Sequence, residues 1–164
     1  MGDPSDSPRC ILLSLGLEVE GRPDVVIDLR APGAVEELEQ KSFTIKEGTE
    51  YRIKMQFKVQ HETLSGLRYV YKISRKGVGV DKSEEMMGSF PPNTETTPFY
   101  EKTCIYVIPY YYLTFLTYLL VASDEAPSGA LYRGHYKVLS EVVDDDKKTH
   151  LQFNWSYDIK KDWS

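Results

Sequence analysis

The side chains with reactive chemistry are few and scattered: three histidines, two cysteines, and serines and carboxylates in no recognisable frame. A zinc hydrolase motif places two histidines one helical turn apart with a glutamate between, but His61-Glu62 has no second histidine at that spacing. His135 and His150 stand far from it and from each other. Ser65-Gly66 lacks the Gly-x-Ser-x-Gly frame that exposes a nucleophilic serine on a sharp turn. The glycines at Gly77 and Gly79 do not extend to a phosphate-cradling loop. Cys10 and Cys104 make neither a Cys-x-x-Cys pair nor a metal-spaced cluster. These patterns assign no catalytic residue, metal ligand or cofactor, and point to a binding protein rather than an enzyme.

Two kinds of binding chemistry remain. One is the run Asp144-Asp145-Asp146, which could meet basic groups on a partner, although charge runs usually form solvated turns. The other is apolar. In Tyr51–Val59, the odd positions Tyr51, Ile53, Met55, Phe57 and Val59 alternate with Arg52, Lys54, Gln56 and Lys58. Strict period-2 alternation gives a strand with one dry and one wet face; a helix would spread those apolar groups around its circumference.

The same alternation recurs in Ile11–Val19, Leu67–Ile73, Leu131–Val143 and Leu151–Ile159. Leu13, Leu15, Leu17 and Val19 form one such face, and Leu151, Phe153, Trp155, Tyr157 and Ile159 another. Shorter strands are expected at 25–29, 42–45 and 99–101, with one or two helical turns at 34–40. Turns fall at Gly21–Asp24, Lys46–Gly48, Arg75–Gly77, Ala126–Gly129 and Asp144–Lys148. Three prolines exclude a regular interior element from 88–98. Short alternating strands separated by turns predict an all-β, immunoglobulin-like antiparallel β-sandwich. A parallel α/β sheet would instead carry strands apolar on both faces.

At 164 residues the default is one domain, read as a flexible leader at 1–10 and a β-domain at 11–164. A net charge of −5 argues against a nucleic-acid partner. The opening MGDPSDSPRC has no apolar core of a signal peptide, which sets a cytoplasmic expectation. Asp6 stands where a myristoylation signal carries Ser or Thr. Asn154-Trp155-Ser156 matches a glycosylation acceptor by chance, inside a strand.

One stretch breaks the pattern. Cys104–Ala122 carries no charge over nearly the length that spans a bilayer. Pro109 near its middle and five tyrosines argue against a span, since tyrosine favours membrane interfaces. The alternative is a hydrophobic insertion that packs on the sandwich or disrupts it.

SFTIKEGTEYRIKMQFKVQHE, SGLRYVYKISRKGVGVDK, GSFPPNTETTPFYEK, DEAPSGALYRGHYKV and VDDDKKTHLQFNWSYDIKKDW together cover most of residues 42–163. In these stretches the chain resembles the Rho GDP-dissociation inhibitors, most nearly their fungal members. The resemblance implies an immunoglobulin-like sandwich that binds the geranylgeranyl tail of GDP-bound Rho-family small GTPases. It implies slower GDP release, a GTPase kept soluble in the cytosol, and a monomer that meets membranes only transiently through the GTPase. It assigns prenyl contacts to Leu15, Leu17, Phe43, Tyr51, Leu67, Val138, Phe153 and Trp155. It assigns GTPase contacts to Asp144 and Asp145, and an acidic rim for a basic tail to Asp81, Glu101, Asp124 and Glu125. Without the resemblance, each of the eight apolar positions is an ordinary core residue of a sandwich.

The chain departs from the family twice. Only about ten residues precede the first strand, where the family carries a longer arm toward the GTPase, so prenyl binding is expected with poor extraction from membranes. Residues at about 103–122 are largely an insertion, which a retained intron or mispredicted splice junction would explain. Two other readings are a membrane-tethered β-domain and a generic lipid-carrying sandwich without GTPase specificity.

Overall fold

In the computed structural model the described residues are 8–19, 21–47, 49, 51–106 and 133–163. The chain forms an immunoglobulin-like sandwich of nine strands among these residues. They are β1 (Cys10–Val19), β2 (Val25–Asp28), β3 (Phe43–Lys46), β4 (Tyr51–Val59), β5 (Leu64–Arg75), β6 (Val78–Phe90), β7 (Tyr100–Tyr106), β8 (Gly134–Val143) and β9 (Thr149–Lys160). A four-stranded sheet runs β2-β1-β4-β7 and a five-stranded sheet runs β3-β9-β8-β5-β6. Apolar alternation drives this arrangement: each sheet has one face that gains by leaving water, and the two faces cover each other.

β4 has the bounds and facing expected from its sequence, with all five odd positions buried. β9 likewise buries Phe153, Trp155, Tyr157 and Ile159, with Leu151 half-buried at its start. β1 differs in one detail. A register shift between Leu12 and Ser14 sets Leu13 apart from the inner face, and Leu12 is buried there beside Leu15 and Leu17. A single extra residue in a strand resets its facing, and alternation alone cannot locate such a bulge.

Three other features depart from expectation. Val78–Phe90, to which the sequence assigns no element, is a thirteen-residue strand at the edge of the five-stranded sheet. Its inward positions are Asp81, Ser83 and Glu85, opposite Ile73, Tyr71 and Tyr69. An edge strand can carry polar groups inward, so it shows no apolar period. The helical turns expected at 34–40 reduce to a 3-10 turn at Leu38–Gln40, which buries Leu38. β3 pairs with β9 in parallel, against the antiparallel rule kept by the other pairs. The long link from β2, with its 3-10 turn, carries the chain across to the second sheet.

The apolar stretch at about 103–122, expected from the sequence to be an insertion, lies mostly outside the described residues; its first part, Thr103–Tyr106, continues β7 alongside β4. Among the described residues no helix is long and apolar enough to cross a membrane.

Candidate functional site

All eight apolar positions singled out in the sequence lie in one buried cluster, none more than 3% exposed. Cross-strand register explains how they meet. On the five-stranded sheet one inward row runs Asp81, Ile73, Val138, Trp155 from β6 to β9. The neighbouring row runs Ser83, Tyr71, Ser140, Phe153. A third brings Tyr136, Tyr157 and Phe43 side by side, with the two tyrosine rings stacked at 5.1 Å. Phe43 meets Trp155 edge-on at 6.0 Å between centroids. From the opposite sheet Leu15, Leu17 and Tyr51 close over this floor, with Tyr51 at 6.0 Å from Tyr157. Both sheets thus bring aliphatic and aromatic side chains to the interior, with most of the rings on the five-stranded side.

One polar network crosses this interior. Trp155 Nε1 donates to Ser140 Oγ at 2.9 Å, and the Tyr69 hydroxyl lies 2.7 Å from the same oxygen. All three residues are wholly buried. A buried indole N–H without an acceptor would be costly, so Ser140 fixes the plane of the Trp155 ring. Sequence reasoning passed over Ser140. Its signal is a lone polar residue at an inward position, between Val138 and Val142 on a face otherwise apolar.

The acidic positions are distributed. Asp81 sits half-buried at the β6 end of the Trp155 row. Glu101 is exposed and accepts a hydrogen bond from Gln56 Nε2 at 3.2 Å on the other sheet. Asp124 and Glu125 lie outside the described residues. Asp144 organises the β8–β9 turn: it accepts from Lys148 N at 2.9 Å and sits 2.7 Å from the buried His150 Nε2. The His150 hydrogen bond, followed by that from Lys148, holds the Asp144 carboxyl below its ordinary range. Asp145 pairs with Arg68 at 3.0 Å, and Arg68 also reaches Glu84 at 3.0 Å. The Asp145 carboxylate lies against Gly66, in the place a Cβ would take, and Gly66 has φ +61°. A side chain at 66 would displace it.

The described geometry offers no assembled nucleophile. Asp158 lies between Ser42 Oγ at 2.5 Å and His135 Nδ1 at 3.0 Å. A catalytic triad needs the histidine between serine and acid, so this order cannot pass the serine proton to an imidazole. Burial pushes the Cys10 thiol up to about 12, far from a reactive thiolate at neutral pH. Among the described residues no cluster of three or more His, Cys, Asp or Glu could hold a metal.

Comparison with known proteins gives this lining its context. A family model described as RHO protein GDP dissociation inhibitor matches residues 1–162. The chain belongs to the Rho GDP-dissociation inhibitor family. It is 41% identical over 161 residues to a Rho GDP-dissociation inhibitor of Schizosaccharomyces pombe, covering 98% of this chain and 69% of that protein. It is 38% identical to the Rho GDP-dissociation inhibitor of Saccharomyces cerevisiae, covering 96% of this chain and 70% of that one. It is 36% identical to Rho GDP-dissociation inhibitor 1 of Homo sapiens, covering 95% and 66% respectively. The chain thus spans about two thirds of the length of these Rho GDP-dissociation inhibitors. Family membership supports a regulatory, GDP-dissociation-inhibiting function.

Proposed function

We propose that the protein binds the geranylgeranyl tail of GDP-bound Rho-family GTPases between its two sheets, slows GDP release and keeps the GTPase soluble in the cytosol. The observation that carries this reading is the single continuous lining built by Leu15, Leu17, Phe43, Tyr51, Leu67, Val138, Phe153 and Trp155 from six strands. A prenyl chain needs dry apolar surroundings and no reactive group, and the side chains of this interior have that character. Its side chains are close-packed, so the tail enters by parting them.

The energetics assign a second task to the surface. A tail of about 20 carbons, at about 0.8 kcal/mol per buried CH₂, gains on the order of 10 kcal/mol or more on leaving water. A bilayer offers a similar gain, so transfer from lipid to protein is nearly neutral and extraction depends on contacts with the GTPase itself. In this reading Asp81, half-buried on the edge strand β6, meets the basic tail. Asp145 reaches a GTPase cation by exchanging it for Arg68, since its carboxylate is already engaged within the chain. Such pairing weakens with salt.

The test is GDP release from a Rho-family GTPase in its geranylgeranylated and unprenylated forms. The expected result is slowed release for the prenylated form alone. Equal release with and without the protein, for both forms, would overturn the reading.

A further inference from the structure

A crevice of about 340 Å³ lies where the tight β5–β6 turn, Lys76-Gly77, meets the start of β8. Arg75, Lys76, Arg133 and Lys137 stand in its wall, and no carboxylate does. That is a local excess of positive charge on a chain whose net charge is −5. The cations are held in place from outside the crevice. Arg75 Nη2 donates to the Arg133 carbonyl at 2.5 Å, and the guanidinium lies over the Tyr136 ring, 5.4 Å from its centroid. A Cβ at position 134 would stand 3.0 Å from Arg75 Nη2, so Gly134 makes room for that pose. Arg133 engages Glu47 through Nε and Nη2 at 2.8 and 2.9 Å, and its Nη1 is not part of that pair. Lys137 reaches Glu39 at 2.6 Å.

Ser74 and Lys137 line this crevice and also a larger groove of about 730 Å³ beside it. The groove lies on the outer face of the five-stranded sheet, where Lys72, Leu139 and Asn154 form a row that alternates with the inward Ile73, Val138 and Trp155. Lys72 and Lys82 stand directly opposite each other there, on β5 and β6, and facing like charges cost stability unless an anion lies between them. Glu141 sits 3.4 Å from Lys72, while Lys82 has no ion pair among the described residues. Val80, 38% exposed, and Leu139 add apolar surface. The carboxylates bordering the groove are Glu39, held by Lys137, and Asp81, which faces inward on β6.

We propose that crevice and groove together bind an acidic phosphopeptide of a partner protein, with the phosphate of a phosphoserine in the crevice and its acidic and apolar neighbours along the groove. A phosphate monoester carries a charge of about −1.5 to −2 at neutral pH, with oxygens that arginine forks and lysines bind strongly. A free phosphate would fill the crevice alone and leave Lys72 and Lys82 unmatched. The continuity of the two cavities through Ser74 and Lys137 fits a chain that carries its phosphate on a side group.

The test uses the full chain and two fluorescein-labelled peptide pools, degenerate on both sides of a central phosphoserine or a central unmodified serine, read by fluorescence anisotropy. Wild type is expected to bind the phosphoserine pool at least about tenfold more tightly than the serine pool, and less tightly as salt rises. Lys76→Asn and Lys137→Gln are each expected to weaken phosphoserine binding about 3- to 10-fold. Both residues are exposed, and asparagine suits the φ of +51° at position 76, so the fold is kept. Lys82→Gln, in the groove, is expected to weaken the phosphoserine pool about twofold or more while leaving competition by inorganic phosphate unchanged. Equal affinity for the two pools, or affinity unchanged in both Lys76→Asn and Lys137→Gln, overturns the proposal. Inorganic phosphate that binds as tightly as the phosphoserine pool reduces the site to a free-anion site and overturns the peptide. Vesicles of phosphatidylcholine and phosphatidylserine that bind wild type but not these variants, with no gain of one pool over the other, assign the surface to a membrane instead. None of these outcomes bears on the interior site, which the variants do not touch.

Discussion

The two sides of the sandwich are closed in different ways. Where β6 meets β7, Phe57, Phe90 and Tyr100 form an aromatic triad with centroids 4.9–5.8 Å apart. The Tyr100 hydroxyl donates to Pro91 O at 3.0 Å, and Lys102 joins Glu85 at 3.0 Å and Met86 O at 3.3 Å. Where β2 meets β3, the sheets are bridged by Arg22, from the β1–β2 turn, on Trp163. The first side is sealed by core side chains from both sheets. The second is closed by a turn residue and a residue beyond the last strand, and Val25 stays wet. The two sides thus differ in how much packed side-chain surface holds them shut.

Breaking the fixed side carries the largest expected effect. Phe57 is 2% exposed and contacts both other rings of the triad, so Phe57→Ala should cost about 3–5 kcal/mol of stability in urea unfolding. A loss well under 1 kcal/mol would show that this side is not the anchor. Ser140→Ala, between the two sides, should cost about 1–3 kcal/mol by leaving Trp155 Nε1 without its acceptor. Ser140→Thr should recover part of that loss if the hydroxyl is what matters. On the loose side, Arg22→Ala should cost about 1 kcal/mol or less by thermal unfolding, because an exposed cation–ring contact is weak. A loss as large as that of Phe57→Ala would erase the contrast.

The smallest effect concerns the β8–β9 turn. The Asp144 carboxyl titrates lower in the folded chain than in the unfolded one, chiefly through its hydrogen bond with His150. Its ionised form therefore stabilises the fold above the ordinary carboxylate value, and that contribution is lost as pH falls through the lowered one. The stability gap between wild type and Asp144→Asn should accordingly shrink between neutral pH and about pH 3. A gap that stays constant over that range would remove Asp144 from this role.

Much of this was legible in the residues. Period-2 alternation marked β4 and β9 because each has one dry and one wet face, and their inner faces supply Tyr51, Phe153 and Trp155. Three features escaped it for physical reasons. β6 is an edge strand with polar groups on both faces, so burial leaves no period in it. The bulge near Leu13 resets facing without altering composition. The exposure of Val25 depends on how two sheet edges separate, a long-range matter that neither β2 nor β3 encodes. Alternation also could not tell core from ligand contact: Ile53 and Leu15 are equally buried, and only family resemblance singled out Leu15.

The claim that a prenyl tail lies between the sheets is tested most directly by isotope-filtered NMR on the full chain with a ¹³C-labelled geranylgeranyl cysteine peptide. Nuclear Overhauser contacts from the isoprene methyls to ring protons of Trp155 and Phe153 and to the methyls of Val138 are the predicted result. Contacts confined to exposed apolar residues such as Val78, Met86 and Phe99, with none to Trp155, would contradict it.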